Sequence, residues 1–195
     1  MVQSNRGQYG VATDFTPAKL VIPTLLSTDA SLDEVIDAVE RAFGAVDFRS
    51  DEIAFTFTDY YAAEMGQGLR RVFLTVSELV DPSRLAEFKR RSDELETRFC
   101  RPAAPSSEGE QRRRVNLDPG LLTLGRLILA STKDNAQRVP LSDGIYAEIT
   151  LLYRKGDFEP LRWTYPDYQS ASYREVLRDI RHRYKKQLED VLSAP

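Results

Sequence analysis

The feature that most constrains this chain is a change of hydrophobic period within its first eighty residues. Behind a Ser31/Glu34 capping box, Leu32, Val35, Ile36, Val39 and Phe43 recur at helical spacing until Gly44 offers a stop. From Ile53 to Thr58 the period becomes two, with Ile53, Phe55 and Phe57 on one face and Ala54, Thr56 and Thr58 on the other. Arg71 to Val76 repeats the alternation, with Val72, Leu74 and Val76 inward. A chain that switches between these periods packs helices against a sheet.

The neighbouring segments extend that order. Leu20 to Leu26 is an apolar run that suits a buried strand, although Pro23 removes a ladder donor and argues for an edge, a bulge or an early stop. Asp81 before Pro82 caps a helix with Leu85, Phe88, Leu95 and Phe99 on its core stripe, and Arg114 to Leu117 follows as a short strand. Strand, helix, strand, strand, helix, strand is the split βαβ order, so the expected fold is α+β with a ferredoxin-like βαββαβ first half. The second half reads as an antiparallel meander. Its strands are Leu127–Thr132, Gln137–Leu141, Ile145–Tyr153 and Phe158–Trp163, with turns at Ser142-Asp143-Gly144 and Lys155-Gly156-Asp157. A last helix, about Ser172 to Leu192, places Tyr173, Val176, Leu177, Ile180, Tyr184 and Leu188 on one face. The organisation expected is a flexible arm over 1–18 and a single domain over 19–195, with a mobile loop at 101–111 where the sequence is rich in Pro, Ser, Gly and Glu.

Composition removes much familiar chemistry. Cys100 is the only cysteine and His182 the only histidine, which excludes an internal disulfide, Cys/His zinc sites, iron–sulfur clusters and His-based nucleophilic triads. A balance of 27 Lys and Arg against 30 Asp and Glu leaves a net charge of -3, so any anion site is local and no global field draws in nucleic acid. No apolar run approaches the ~18 residues of a membrane span, and the polar N-terminus is unlike a signal peptide; a cytoplasmic protein with no membrane partner is expected.

The blocks TDYYAAEMG (58–66), RRVFLTVSELVDP (70–82), VNLDPG (115–120), LILASTKD (127–134), GIYAEITLLY (144–153) and WTYPDY (163–168), in that order and spacing, resemble the prokaryotic family catalogued as domain of unknown function 4416. The resemblance runs from about Lys19 to Tyr184 and implies a single-domain prokaryotic protein with no established activity. Some members are described as GTP-binding. A P-loop needs G-x-x-x-x-G-K-[ST] to cradle phosphates, and none occurs here; in Thr132-Lys133-Asp134 the Asp follows Lys directly, which is the wrong spacing for guanine recognition. The family pattern also has a histidine ahead of the arginine where this chain reads KDNAQRVPL, so no histidine acid/base exists at Gln137.

Three groups of residues could carry chemistry. Acids beside turns come first: Asp59, Glu64, Asp118, Asp134, Glu148 and Asp167. Asp118 before Pro119-Gly120 and Asp167 after Pro166 each suit side-chain caps of tight turns, whereas Glu148 lies inside an alternating strand and needs a partner or solvent. Cations are the second group: Arg70, Arg71, Lys133, Arg138 and a stripe of Arg174, Arg178, Arg181 and Lys185 on the last helix. The third is aromatic, with Tyr60, Tyr61, Tyr146, Trp163, Tyr165 and Tyr168. The function expected is binding of a phosphorylated small molecule or nucleotide. Lys133, Arg138 and Arg181 would take the anion, and Asp59, Glu64, Glu148 and Asp167 would hold magnesium or act as general bases in phosphoryl or nucleotidyl transfer or hydrolysis. The alternative is an RNA- or protein-interaction module without catalysis; the RRM signature is absent, and the oligomeric state stays open.

Overall fold

The structure is a computed structural model that describes residues 14–102 and 111–193. Most of the expected arm, residues 1–13, and most of the expected loop, residues 103–110, lie outside the described residues. The chain begins with β1 (Ala18–Leu26), every residue of which is buried. Its even side chains enter one core while Val21 and Leu25 enter others on the opposite face, which is why the run is apolar without alternation. After α1 (Leu32–Phe43), where Ser31 accepts from the Glu34 N–H, come β2 (Val46–Arg49), β3 (Ile53–Ala54), the single turn α2 (Ala62–Met65) and β4 (Arg70–Val80). A turn capped by Asp81 leads into α3 (Leu85–Thr97), then the two-residue strands β5 (Arg101–Pro102) and β6 (Gln111–Arg112), which pair with each other. The second half runs through β7 (Val115–Leu117), β8 (Gly120–Leu122), β9 (Arg126–Ser131), β10 (Val139–Pro140), β11 (Tyr146–Arg154) and β12 (Asp157–Pro160) to α4 (Ala171–Ser193).

The fold is α+β. Ten strands form one antiparallel sheet in the order β10-β11-β9-β8-β1-β4-β2, with β7 also on β1, β3 on β4 and β12 on β11. Residues Leu20, Ile22, Val72, Leu74 and Leu117 meet Val35 and Val39 of α1 and Leu85, Phe88 and Leu95 of α3 on one face. On the other face Val21, Phe73, Leu127 and Leu151 meet Tyr173, Leu177, Ile180, Tyr184 and Leu188 of α4. The sheet is therefore covered on both sides.

Two strand expectations need correction. The alternating run Ile53–Thr58 is ladder-paired only at Ile53 and Ala54; Phe55 bonds to the Leu69 carbonyl, and the chain then leaves β4. Phe55 is drawn into a separate small core with Leu25, Met65 and Leu69, against which Phe57 and Tyr61 pack, and that burial outweighs continued pairing. Pro23 does not mark an edge, because β1 is central, with β4 on one side and β7 and β8 on the other. β7 pairs with Thr24–Leu26 and β8 with Lys19–Val21, so Pro23 faces the corner at Asp118-Pro119 between them. Its carbonyl accepts from the Asp118 N–H, and the N–H that proline lacks would point at the same corner, where no ladder bond is needed.

That corner splits the sheet. β8 pairs with β9 from Leu122–Leu127 to Gly120–Leu129, and the Ala130 N–H to Pro119 carbonyl bond of 3.1 Å closes the run. Beyond it β7 stays on β1 while the end of β9 stays on β11. At the branch the strands approach so closely that a Cβ on Gly120 would lie 2.6 Å from the Ile128 carbonyl oxygen.

Candidate functional site

A cavity of about 790 Å³ opens where the strands part. Asn116 of β7 and Asp118 at the corner after it form one wall, backed by Lys89, Asp93 and Glu96 of α3; Leu129, Ala130 and Ser131 of β9 form the other. Arg71 of β4 and Asp167-Tyr168 close the inner end, and Phe55, Phe57, Tyr60 and Tyr61 line the side. Each wall is set by the fold, since the split strands cannot fill the space between them.

The inner end is a network of buried charge. Arg71 is 2% exposed, lies 3.5 Å from Asp118 and 3.6 Å from Asp167, and donates to the Tyr173 hydroxyl. Those carboxylates are too far for good hydrogen bonds, and among the described residues the Arg71 Nη1 makes none; neither does the buried Tyr168 hydroxyl. Burial works against the guanidinium's charge, but Tyr168, Tyr173, Asp118 and Asp167 outweigh it and hold Arg71 above its ordinary value. Burial raises Asp167 against the pull of Arg71 and lifts the Tyr168 hydroxyl well above the phenol range. Glu96 accepts from the Leu117 N–H at 2.6 Å and from Arg113 at 3.1 Å, yet burial pushes its carboxyl up to about 7 against the opposing effects of Lys89, that N–H and Arg113. Lys89 joins Asp93 at 2.8 Å and the Leu117 carbonyl.

The outer end is simpler. Arg138 and Glu148 form a buried ion pair at 2.9 Å, and Gln137 donates to the same carboxylate oxygen. Arg138 spends its remaining nitrogens on the Lys133 carbonyl and the Tyr165 hydroxyl. Lys133, held at the end of β9, donates to the Tyr60 hydroxyl at 2.7 Å among the described residues, which leaves two of its three ammonium protons. Ser131 and Thr132 put hydroxyls beside it, and the exposed rings of Tyr60 and Tyr165 frame the mouth.

Of the residues expected from the sequence, Lys133, Arg138, Glu148 and Asp167 line this cavity. Asp59 borders a separate cavity of about 320 Å³ beside Gly66–Arg70. Glu64 is an exposed partner of Arg113 at 2.9 Å. Arg181 is elsewhere altogether, donating to the Leu124 carbonyl and stacked 3.6 Å from the Tyr153 ring centroid; its neighbours Arg174 and Arg178 both pair with Asp157. The four expected acids are thus not brought together, and among the described residues no three His, Cys, Asp or Glu side chains gather to hold a metal ion. Sequence reasoning missed Lys89, Glu96 and Arg113. A signal existed: Lys89, Ser92 and Glu96 interrupt the core stripe of α3 at helical spacing, and all three are buried. Arg71 carried one too, because it shares a strand face with the apolar Phe73.

The comparisons with known proteins agree on family and stop there. The family model described as Domain of unknown function (DUF4416) matches residues 16–184, and the chain belongs to that family. No curated protein and no solved structure matches. No helix among the described residues is long and apolar enough to cross a membrane.

Proposed function

We propose that this member of the DUF4416 family binds a phosphorylated small molecule or nucleotide in the cavity between β7 and β9, with the anionic end at Lys133. The observation that carries this reading is the cationic outer end of the cavity. There Lys133 and Arg138 face the single carboxylate Glu148, and Lys133 has ammonium donors to spare beside Ser131 and Thr132. Arg138 contributes charge from a fixed position, because each of its three nitrogens holds one acceptor, Glu148, the Lys133 carbonyl or Tyr165. The tyrosines at the mouth offer faces on which a planar group stacks. A recessed site suits a small molecule better than a strand of RNA, which needs bases splayed over an open sheet face. The binding role does not depend on turnover; Glu148 is neutralised by its ion pair, and Asp167 stands 3.6 Å from Arg71 at the inner end. The ferredoxin-like description of the first half belongs to the same reading, supported by the strand order β7-β1-β4-β2 with α1 and α3 on one face. So does a cytoplasmic setting, where nucleotides and phosphorylated metabolites are kept.

The test is a thermal-shift screen of nucleotides, sugar phosphates and polyphosphate with and without Mg2+. A ligand at 100 times its dissociation constant adds about 2.7 kcal/mol of stability. Lys133→Ala should weaken the hit by roughly tenfold, the loss of one charge-assisted contact, while the unliganded Tm stays put because Lys133 is exposed. Absence of any shift across the panel would overturn the reading.

A further inference from the structure

The two ends of the cavity differ in charge and in what their atoms lack. At the outer end two cations face one carboxylate, as described above. At the inner end the cations Arg71, Lys89 and Arg113 face four acids, Asp93, Glu96, Asp118 and Asp167. A phosphate placed there would meet Asp118 and Asp167 at like charge, since both lie within 3.6 Å of Arg71, and it would meet Glu96 beside Arg113, 3.1 Å away. The inner end nevertheless has unmet needs. Among the described residues Arg71 Nη1, 3.5 Å from Asp118, and the Tyr168 hydroxyl are buried donors that make no hydrogen bond, on side chains that are 2% and 3% exposed and that both line the cavity. A buried donor left without a partner is unfavourable, so a ligand that supplies one is favoured. Asp118 and Asp167 stand beside those donors as acceptors, Asp118 taking a hydrogen bond from Asn116 at 2.6 Å. An atom that serves this set must accept from Arg71 or Tyr168 and donate to a carboxylate, while carrying no negative charge. A hydroxyl group does both, having one proton and two lone pairs.

We infer that the inner end of the cavity recognises the hydroxyl-bearing part of the ligand, a sugar or polyol, with Arg71 and Tyr168 donating to its oxygens and Asp118 and Asp167 accepting its protons. The inference rests on the proposed function and deepens it: the anionic group sits toward Lys133, and the hydroxylated group points inward to the acid–arginine–acid floor. The ligand class is then a sugar phosphate or a ribonucleotide, and phosphorylated compounds without hydroxyls are poor ligands. Sites that hydrogen-bond a substrate hydroxyl reject the analogue that lacks it, because the site's own buried groups are then stranded.

The experiment measures the affinity of the full chain, by calorimetry, for matched pairs: the four ribonucleoside triphosphates against their 2′,3′-dideoxy counterparts, and ribose 5-phosphate against n-pentyl phosphate. At least one hydroxylated member should bind at least tenfold more tightly than its partner. In Asp167→Asn and Asp118→Asn that ratio should fall towards one while the affinity of the hydroxyl-free partner holds, and the thermal midpoints of both variants establish that they are folded. Equal affinity for both members of every pair that binds overturns the inference and leaves the phosphate-site reading standing. Failure of every phosphorylated compound to bind overturns that reading, and this inference with it.

Discussion

At the scale of single residues, the charges at the inner end decide both stability and pH response. Arg71→Ala removes the one guanidinium between Asp118 and Asp167 and leaves two carboxylates without it. The expected cost is about 3–5 kcal/mol, read by urea denaturation, and Arg71→Ala/Asp167→Asn should recover part of it. Glu96 makes a different prediction. Its folded carboxyl titrates near 7, above the value of 4.5 it has when unfolded, so folding favours the protonated form. Its contribution to stability is therefore present below about 4.5 and lost as pH rises through about 7. Glu96→Gln, neutral throughout, should gain stability relative to the natural chain between pH 5 and pH 8; a constant difference across that range would refute it. Much of the site's residue content was legible. Lys133, Arg138, Glu148 and Asp167 were readable because polar residues in and beside strands demand partners. Arg181 misled because a helical stripe fixes a face but not what lies opposite, which here is the Leu124 carbonyl and the Tyr153 ring.

Among elements, periodicity proved a good guide for helices and a weaker one for strands. α4 was expected over Ser172–Leu192 and spans Ala171–Ser193, its five buried residues all on the expected face, because a long amphipathic repeat has one way to meet a sheet. β2 and β8 went unforeseen, being four and three residues long, too short for an alternation to stand out. Pro23 was misjudged for a physical reason: a central strand tolerates proline where its neighbours change over, and pairing register lies outside the sequence pattern. The branch itself gives a sharp prediction. Gly120→Ala sets a Cβ 2.6 Å from both the Ile128 carbonyl oxygen and Leu129 Cδ2, forcing β8 and β9 apart. A loss of about 1–3 kcal/mol is expected in chemical denaturation. An unchanged midpoint would show that the strands yield freely.

For the whole molecule, β1 and β4 are the most enclosed strands, paired on both edges and covered by α1 and α3 on one face and by α4 on the other. Hydrogen exchange should be slowest in peptides covering 18–26 and 70–80 and fastest at the outer strands β10 and β2; the reverse order would contradict this architecture. The α+β class was readable from the order of the periods, whereas the pairing of β9 with β11 rather than β10 and the split of the sheet at Asp118-Pro119 depend on distant strands meeting and left no local mark. That split has a consequence for how such a chain diversifies. The cavity walls at β7 and the end of β9 owe each other no ladder bonds, so side chains that face across the seam can be exchanged without unpicking the sheet. Descendants of one ancestor could reshape the cavity at Ser131 or Thr132 while Gly120 and Pro23 hold the seam: a hearth of fixed masonry around a replaceable grate.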